Sequence, residues 1–143
     1  MTHAEKVKQI AKQLKEKAKS TGHLSLQKEA VSHFVPNPND PRHADQKINI
    51  RNLKEILKID PKKRICEAEP GVTFVRLVEE TLKHGLVPKL VPELKTITIG
   101  GAVSGCSVES MSYKYGGFHD SCLEYEVISA QGEILNCSDK ENS

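Results

Sequence analysis

The sequence predicts an α+β domain. Two well-marked helical stretches alternate with short apolar runs bounded by glycine and proline, and the chain closes on two extended runs joined by Gln131-Gly132. Strands and helices mixed in this order belong to a sheet-and-helix fold rather than a bundle or a sandwich. The 143 residues suit one domain with a core large enough to fold alone.

The first element is a helix over residues 4–19. Val7, Ile10, Ala11, Leu14 and Ala18 recur at spacings of three and four and form one apolar stripe. Thr21 and Gly22 end it, with Gly22 suited to a left-handed position. Lys6, Lys8, Lys12, Lys15, Lys17 and Lys19 crowd this segment against Glu5 and Glu16 only. They read as a solvated face, with a partner helix or an acidic surface as the alternative.

Residues 23–45 read as irregular, because Pro36, Pro38 and Pro41 interrupt both helix and central strand. Lys28, Ser32 and His33 stand just before the prolines, either as phosphate contacts or as the polar edges of a short strand. Next come a short strand over "KINI", a helical turn over "RNLKEILKI" and a second strand over "KRICEAEPG", stopped by Pro70 and Gly71. "TFVRLVEETLKHG" is a strong helix, capped by Thr73 and closed by Gly85, with Phe74, Leu77, Val78 and Leu82 facing inward. "GLVPKLVPEL" is extended, and "LEYEVISAQGEILNC" is a β-hairpin.

Composition narrows the function. A net charge of +2 is too mild to argue for nucleic acid. Cys66, Cys106, Cys122 and Cys137 include no CxxC pair, so zinc and thioredoxin-type chemistry are not indicated, and free thiols suit a reducing, cytoplasmic setting. No apolar run approaches the ~18 residues of a membrane span. No metal ligands or catalytic residues are assigned.

The segment "TIGGAVSGCSVES" needs its own explanation. Gly100, Gly101 and Gly105 let a backbone come close to whatever lies beside it. Consecutive amides in such a turn make an anion-binding concavity, strengthened if Gly100 or Gly101 opens a short helix. Ser104, Ser107 and Ser110 add hydroxyl donors, and no Lys or Arg stands between Thr96 and Met111. From the pattern alone, tight structural packing and phosphate cradling both remain open. His119 and Asp120 read as turn or strand residues rather than an acid/base pair, and Tyr113 and Tyr115 as groups beside a cofactor or in the core.

Further motifs stand in order around that segment: Glu69-Pro70, Pro92-Glu93-Leu94, Thr98 to Gly101, Gly105 to Ser110 and Lys114 to Gly116. Together they resemble the FAD-binding domain of the vanillyl-alcohol oxidase / p-cresol methylhydroxylase superfamily, and within it the delta(24)-sterol reductase group. The likeness spans roughly residues 45–143, and more weakly back to about residue 24. It implies an α+β FAD-binding domain of the p-cresol methylhydroxylase type over residues 23–143, incomplete at its C-terminal end, preceded by an amphipathic helix over residues 1–22. It implies that Thr98, Ile99, Gly100, Gly101, Ala102, Val103, Ser104, Gly105, Cys106, Ser107, Val108, Glu109 and Ser110 wrap the FAD diphosphate and ribityl chain. The histidine that carries covalent flavin in some members has no counterpart, so the implied FAD is noncovalent. The substrate domain is not in the chain, so the parent function is a flavin-dependent oxidoreductase and catalysis by this chain alone is not expected. The alternative is a noncatalytic fragment that no longer binds FAD and that oligomerises, or docks on a partner or on the missing C-terminal part of its own protein.

Overall fold

The computed structural model describes residues 1–29 and 37–142. In chain order the elements are α1 (His3–Lys17), β1 (Leu24–Gln27), a 3-10 turn (Pro41–Ala44), β2 (Gln46–Asn49), β3 (Ile56–Asp60), β4 (Ile65–Ala68), α2 (Phe74–Leu82), α3 (Ile99–Ser104), α4 (Ser112–Tyr115), a second 3-10 turn (Phe118–Ser121), β5 (Glu124–Ile128) and β6 (Ile134–Ser138). The chain divides into two compact units. Of the described residues, the first holds 1–28, 37–52 and 123–142; the second holds 29 and 53–122.

In the first unit, α1 starts with a complete capping box. Thr2 Oγ1 accepts the Glu5 N–H at 3.3 Å, and Glu5 Oε2 accepts the Thr2 N–H at 2.7 Å. Val7, Ile10 and Ala11 are buried, as their spacing predicts. The helix stops at Lys17 with Ala18 as its cap, so Gly22, at φ 141°, serves the turn into β1 rather than the helix end. β1 and β2 pair in parallel from Leu24↔Gln46 to Gln27↔Asn49, so a strand stands inside the segment read as irregular. Gln13 Oε1 accepts the Asn49 N–H at 3.2 Å and ties α1 to β2. The predicted hairpin is β5–β6, in register from Glu124↔Ser138 to Ile128↔Ile134, with Gly132 at φ 73° in its turn.

In the second unit, β3 and β4 form an antiparallel hairpin. β3 occupies part of the stretch whose lysine and leucine spacing predicts a helical turn. Pairing of Ile59 with Cys66 and of Asp60 with Ile65 outweighs that local preference. Asp60 Oδ1 accepts the N–H groups of Lys62 and Lys63, both at 3.0 Å, and shapes the tip. The core comprises Val72, Phe74, Leu77, Leu90, Ala102 and Phe118. The rings of Phe74 and Phe118 meet edge to face at 5.1 Å. Helix α2 starts at its Thr73 cap and ends before Gly85, at φ 68°, as predicted. Its inward face differs in one place. Leu82 is 55% exposed, and Thr81 is buried instead, its hydroxyl donating to the Leu77 carbonyl at 2.9 Å. Residues 85–94 form no regular element, yet Leu90 is fully buried.

Candidate cofactor-binding site

The small-residue segment lies wholly in the second unit, and it is a short helix followed by an exposed loop. An isolated antiparallel bridge between Thr73 and Thr98 fixes its entry. Phe74 N–H donates to the Ile97 carbonyl and Ile99 N–H to the Val72 carbonyl, each at 2.9 Å. Thr98 Oγ1 then accepts the Gly101 N–H at 3.3 Å, and α3 begins.

Of the two readings open for the glycines, this geometry supports packing at Gly100. Gly100 donates its N–H to the Pro70 carbonyl at 2.8 Å, and Gly101 donates to Thr98. With Ile99 and Ala102 also bonded, to the carbonyls of Val72 and Thr98, the first amides of α3 are spent within the chain. A Cβ on Gly100 would stand 2.7 Å from Pro70 Cβ. The absent side chain therefore lets α3 pack on the end of β4, and no anion is needed to explain it. Ala102 is fully buried in the core for the same packing reason.

The second half of the segment is more exposed, yet most of its amides are also bonded within the chain: the Gly105, Cys106 and Ser107 N–H groups donate to the Gly101, Val103 and Ala102 carbonyls at 2.9, 3.3 and 3.0 Å. Gly105 and Cys106 are exposed, and Cys106 turns the chain with φ 49°. Val108 and Ser110 are exposed, and the Glu109 N–H donates to Ser112 Oγ at 2.8 Å. Ser104 Oγ donates back to the Gly100 carbonyl at 2.8 Å, which leaves Ser107 and Ser110 as the hydroxyls nearer the loop's open end. Ser110 borders an open groove of about 390 Å³ that it shares with Val87, Pro88, Lys89, Val91, Met111 and Tyr115. Lys89 Nζ stands 5.8 Å from the centre of the Tyr115 ring, within reach of a cation–π contact. Sequence reasoning missed this wall. The proline-marked run 85–94 carries no periodicity that would have shown it meeting Ser110.

Other predicted groups fall as follows. Tyr115 lines the groove while Tyr113 is 84% exposed, because α4 is helical and sends them in different directions. His119 and Asp120 sit in the second 3-10 turn, with His119 Nε2 3.4 Å from Asp120 Oδ1. Asp120 Oδ2 also accepts the Gly117 N–H at 2.8 Å, which gives the aspartate a turn-forming role. Lys28 is exposed, and Ser32 and His33 lie outside the described residues. None of the four cysteines is in a disulfide. Among the described residues no group of His, Cys, Asp and Glu side chains is placed to hold a metal ion, and no helix is long and apolar enough to cross a membrane.

The model of the FAD binding domain family matches residues 33–138. The chain belongs to that family. This FAD binding domain is 36% identical over 136 residues to the delta(24)-sterol reductase homolog dhcr-24 of Caenorhabditis elegans, a match covering 94% of this chain and 26% of that protein. It is 39% identical over 92 residues to the delta(24)-sterol reductase of Homo sapiens, covering 64% of this chain and 18% of the human protein. The chain thus spans about a quarter or less of the length of these relatives. The crystal structure of 6-hydroxy-D-nicotine oxidase from Arthrobacter nicotinovorans superimposes with a TM-score of 0.77 at 21% identity, covering 94% of this chain and 29% of that one. The fold is therefore the α+β architecture expected from the motifs, and FAD is the ligand of the domain family.

Proposed function

We propose that the chain is the FAD-binding part of a flavin-dependent oxidoreductase related to delta(24)-sterol reductase, and that it holds FAD noncovalently along Thr98–Ser110. The observation that carries this reading is the exposure of Gly105, Cys106, Val108 and Ser110, with Ser110 on the border of the groove that Val87, Lys89 and Tyr115 also line. The residues fit a dinucleotide. The hydroxyls of Ser107 and Ser110 serve phosphate or ribityl oxygens, and the groove's aliphatic and ring surfaces suit an apolar ring system. Lys89 lines the groove and Lys114 Nζ stands 5.1 Å from the centre of the Tyr115 ring, whereas the stretch from Ile97 to Ser110 itself carries no basic residue. In this division of labour Thr98–Gly101 positions the loop and Gly105–Ser110 contacts the cofactor. Bound flavin would supply hydride transfer, while the chain's own residues bind and orient it.

The test is flavin uptake. Purified protein incubated with FAD and desalted is expected to keep a yellow flavin spectrum, and acid precipitation is expected to release all the flavin into the supernatant. Flavin that stays with the precipitate overturns the noncovalent reading, and colourless protein after incubation overturns FAD binding by this chain.

Exposed apolar side chains near the groove favour a second reading, a noncatalytic fragment that associates. Val87 is 62% exposed, Val108 70% and Tyr113 84%. A light-scattering mass well above 15.9 kDa in protein that takes up no flavin would favour that reading over the first.

A further inference from the structure

Helix α1 concentrates lysines, and the fold sorts them. Lys6 is buried at 7% exposure, whereas Lys8, Lys12 and Lys15 are exposed. Spacings of four and three place these three on one side of the helix, about 6 Å and 4.5 Å apart along its axis. The turn of the β5–β6 hairpin closes against this side. Gly132 makes the approach possible: a Cβ there would stand 2.5 Å from Lys15 Cγ and 2.8 Å from the Ala11 carbonyl oxygen. Between helix and turn runs a groove of about 330 Å³, bordered by the three lysines, Ala11, Gly132 and Ile134, with Glu133 as an acidic member of its lining. Ile134 is 42% exposed. The nearby carboxylates offset the lysines only in part: α1 carries five lysines against Glu5 and Glu16, Glu16 lies 3.9 Å from Lys12, and Glu133 stands in the lining.

We propose that this groove docks an acidic polypeptide segment carrying an aliphatic residue among its carboxylates. A positive rim around an aliphatic floor, built from lysine stems, Ala11 and Ile134, matches the usual anatomy of a small protein interface. In an extended segment, alternate side chains are about 6.6 Å apart, close to the axial step between Lys8 and Lys12. A bilayer fits less well, because Val7, Ile10 and Ala11 are buried and the helix has no free apolar face to lay into lipid. A nucleic acid fits less well too, because no arginine borders the groove and the net charge is only +2. This inference is independent of the cofactor reading.

The experiment uses the full chain and a fluorescein-labelled peptide Glu-Glu-Leu-Glu-Glu-Leu-Glu-Glu, with its Lys-for-Glu counterpart, phosphatidylserine-containing vesicles and a short single-stranded DNA as competing probes. Fluorescence anisotropy is expected to show binding of the acidic peptide that weakens as salt rises. The triple variant K8E/K12E/K15E is expected to weaken it roughly tenfold or more. The milder K8Q/K12Q/K15Q variant is expected to do the same in smaller measure, and K58E/K62E/K63E, on the β3–β4 hairpin, to change it little. Far-UV circular dichroism verifies folding of each variant. Equal binding of the acidic and basic peptides, unchanged affinity in both triple variants, or vesicle or DNA binding without peptide binding would each overturn the proposal.

Discussion

Thr73 and Thr98 are partners in an isolated antiparallel bridge, and each caps the helix that follows it. The two cap bonds are unequal. Thr98 Oγ1 accepts from Gly101 at 3.3 Å, and Thr73 Oγ1 accepts from Arg76 at 3.5 Å. Helix α3 is also the shorter of the two, six residues against nine, and depends more on its start. Replacing Thr98 by Ala is therefore expected to cost about 1 kcal/mol, Thr98→Ser only a few tenths, and Thr73→Ala less than Thr98→Ala. Urea denaturation measures this. A serine variant as unstable as the alanine variant would show that the hydroxyl is not what matters.

That pair also shows what was readable beforehand. Thr73 was legible as a cap because an apolar helical period starts at Phe74 and ends at Gly85. The closing hairpin was legible from alternation around Gln131-Gly132. Strand β3 was not, because its Ile56 and Ile59 are spaced for a helix, and only their partners on β4 make them a strand. At the site, the glycines pointed to a close approach. Sequence cannot say to what, and at Gly100 the answer is Pro70.

The two adjacent glycines of α3 are expected to respond differently to alanine. At Gly100 the new Cβ would meet Pro70 Cβ at 2.7 Å and the Pro70 carbonyl oxygen at 3.1 Å, and the proline ring cannot rotate aside. Gly100→Ala is expected to destabilise by about 1–3 kcal/mol. At Gly101 the nearest atom is Thr98 Oγ1 at 3.2 Å, and alanine's better helix propensity offsets the crowding. The net effect of Gly101→Ala is expected to stay within about 1 kcal/mol of zero. Equal losses in the two melts would mean that Pro70 is not the obstacle.

Asp60 gives a pH prediction. The Lys63 N–H, then the Lys62 N–H and the charges of Lys63 and Lys58, hold its carboxyl below the usual aspartate value. The unfolded chain thus binds a proton at higher pH than the folded one. The stabilisation is present above the ordinary aspartate range near pH 4, and is lost as pH falls through the lower folded value. Asp60→Asn keeps an acceptor oxygen at the hairpin tip but does not titrate. Wild type is expected to lose stability more steeply than this variant between about pH 5 and pH 2, read by thermal melts. Parallel curves would remove Asp60 from the acid response.

Two cysteines separate the cofactor reading from general protection of the fold. Cys106 is exposed within Gly105–Ser110, and Cys66 is half-buried on β4. Burial, with Glu67 adding to it, pushes the Cys66 thiol above its ordinary value, so its thiolate is scarcer at a given pH. Without FAD, iodoacetamide at about pH 8 is expected to label Cys106 well before Cys66, as read by peptide mass spectrometry. If the loop lies against the cofactor, FAD should slow Cys106 several-fold and leave Cys66 unchanged. Slowing at both sites would instead report overall stabilisation by ligand, since any molecule that binds only the folded state suppresses opening everywhere. Retained flavin with an unaltered Cys106 rate would move the cofactor away from this loop, even with the family assignment intact.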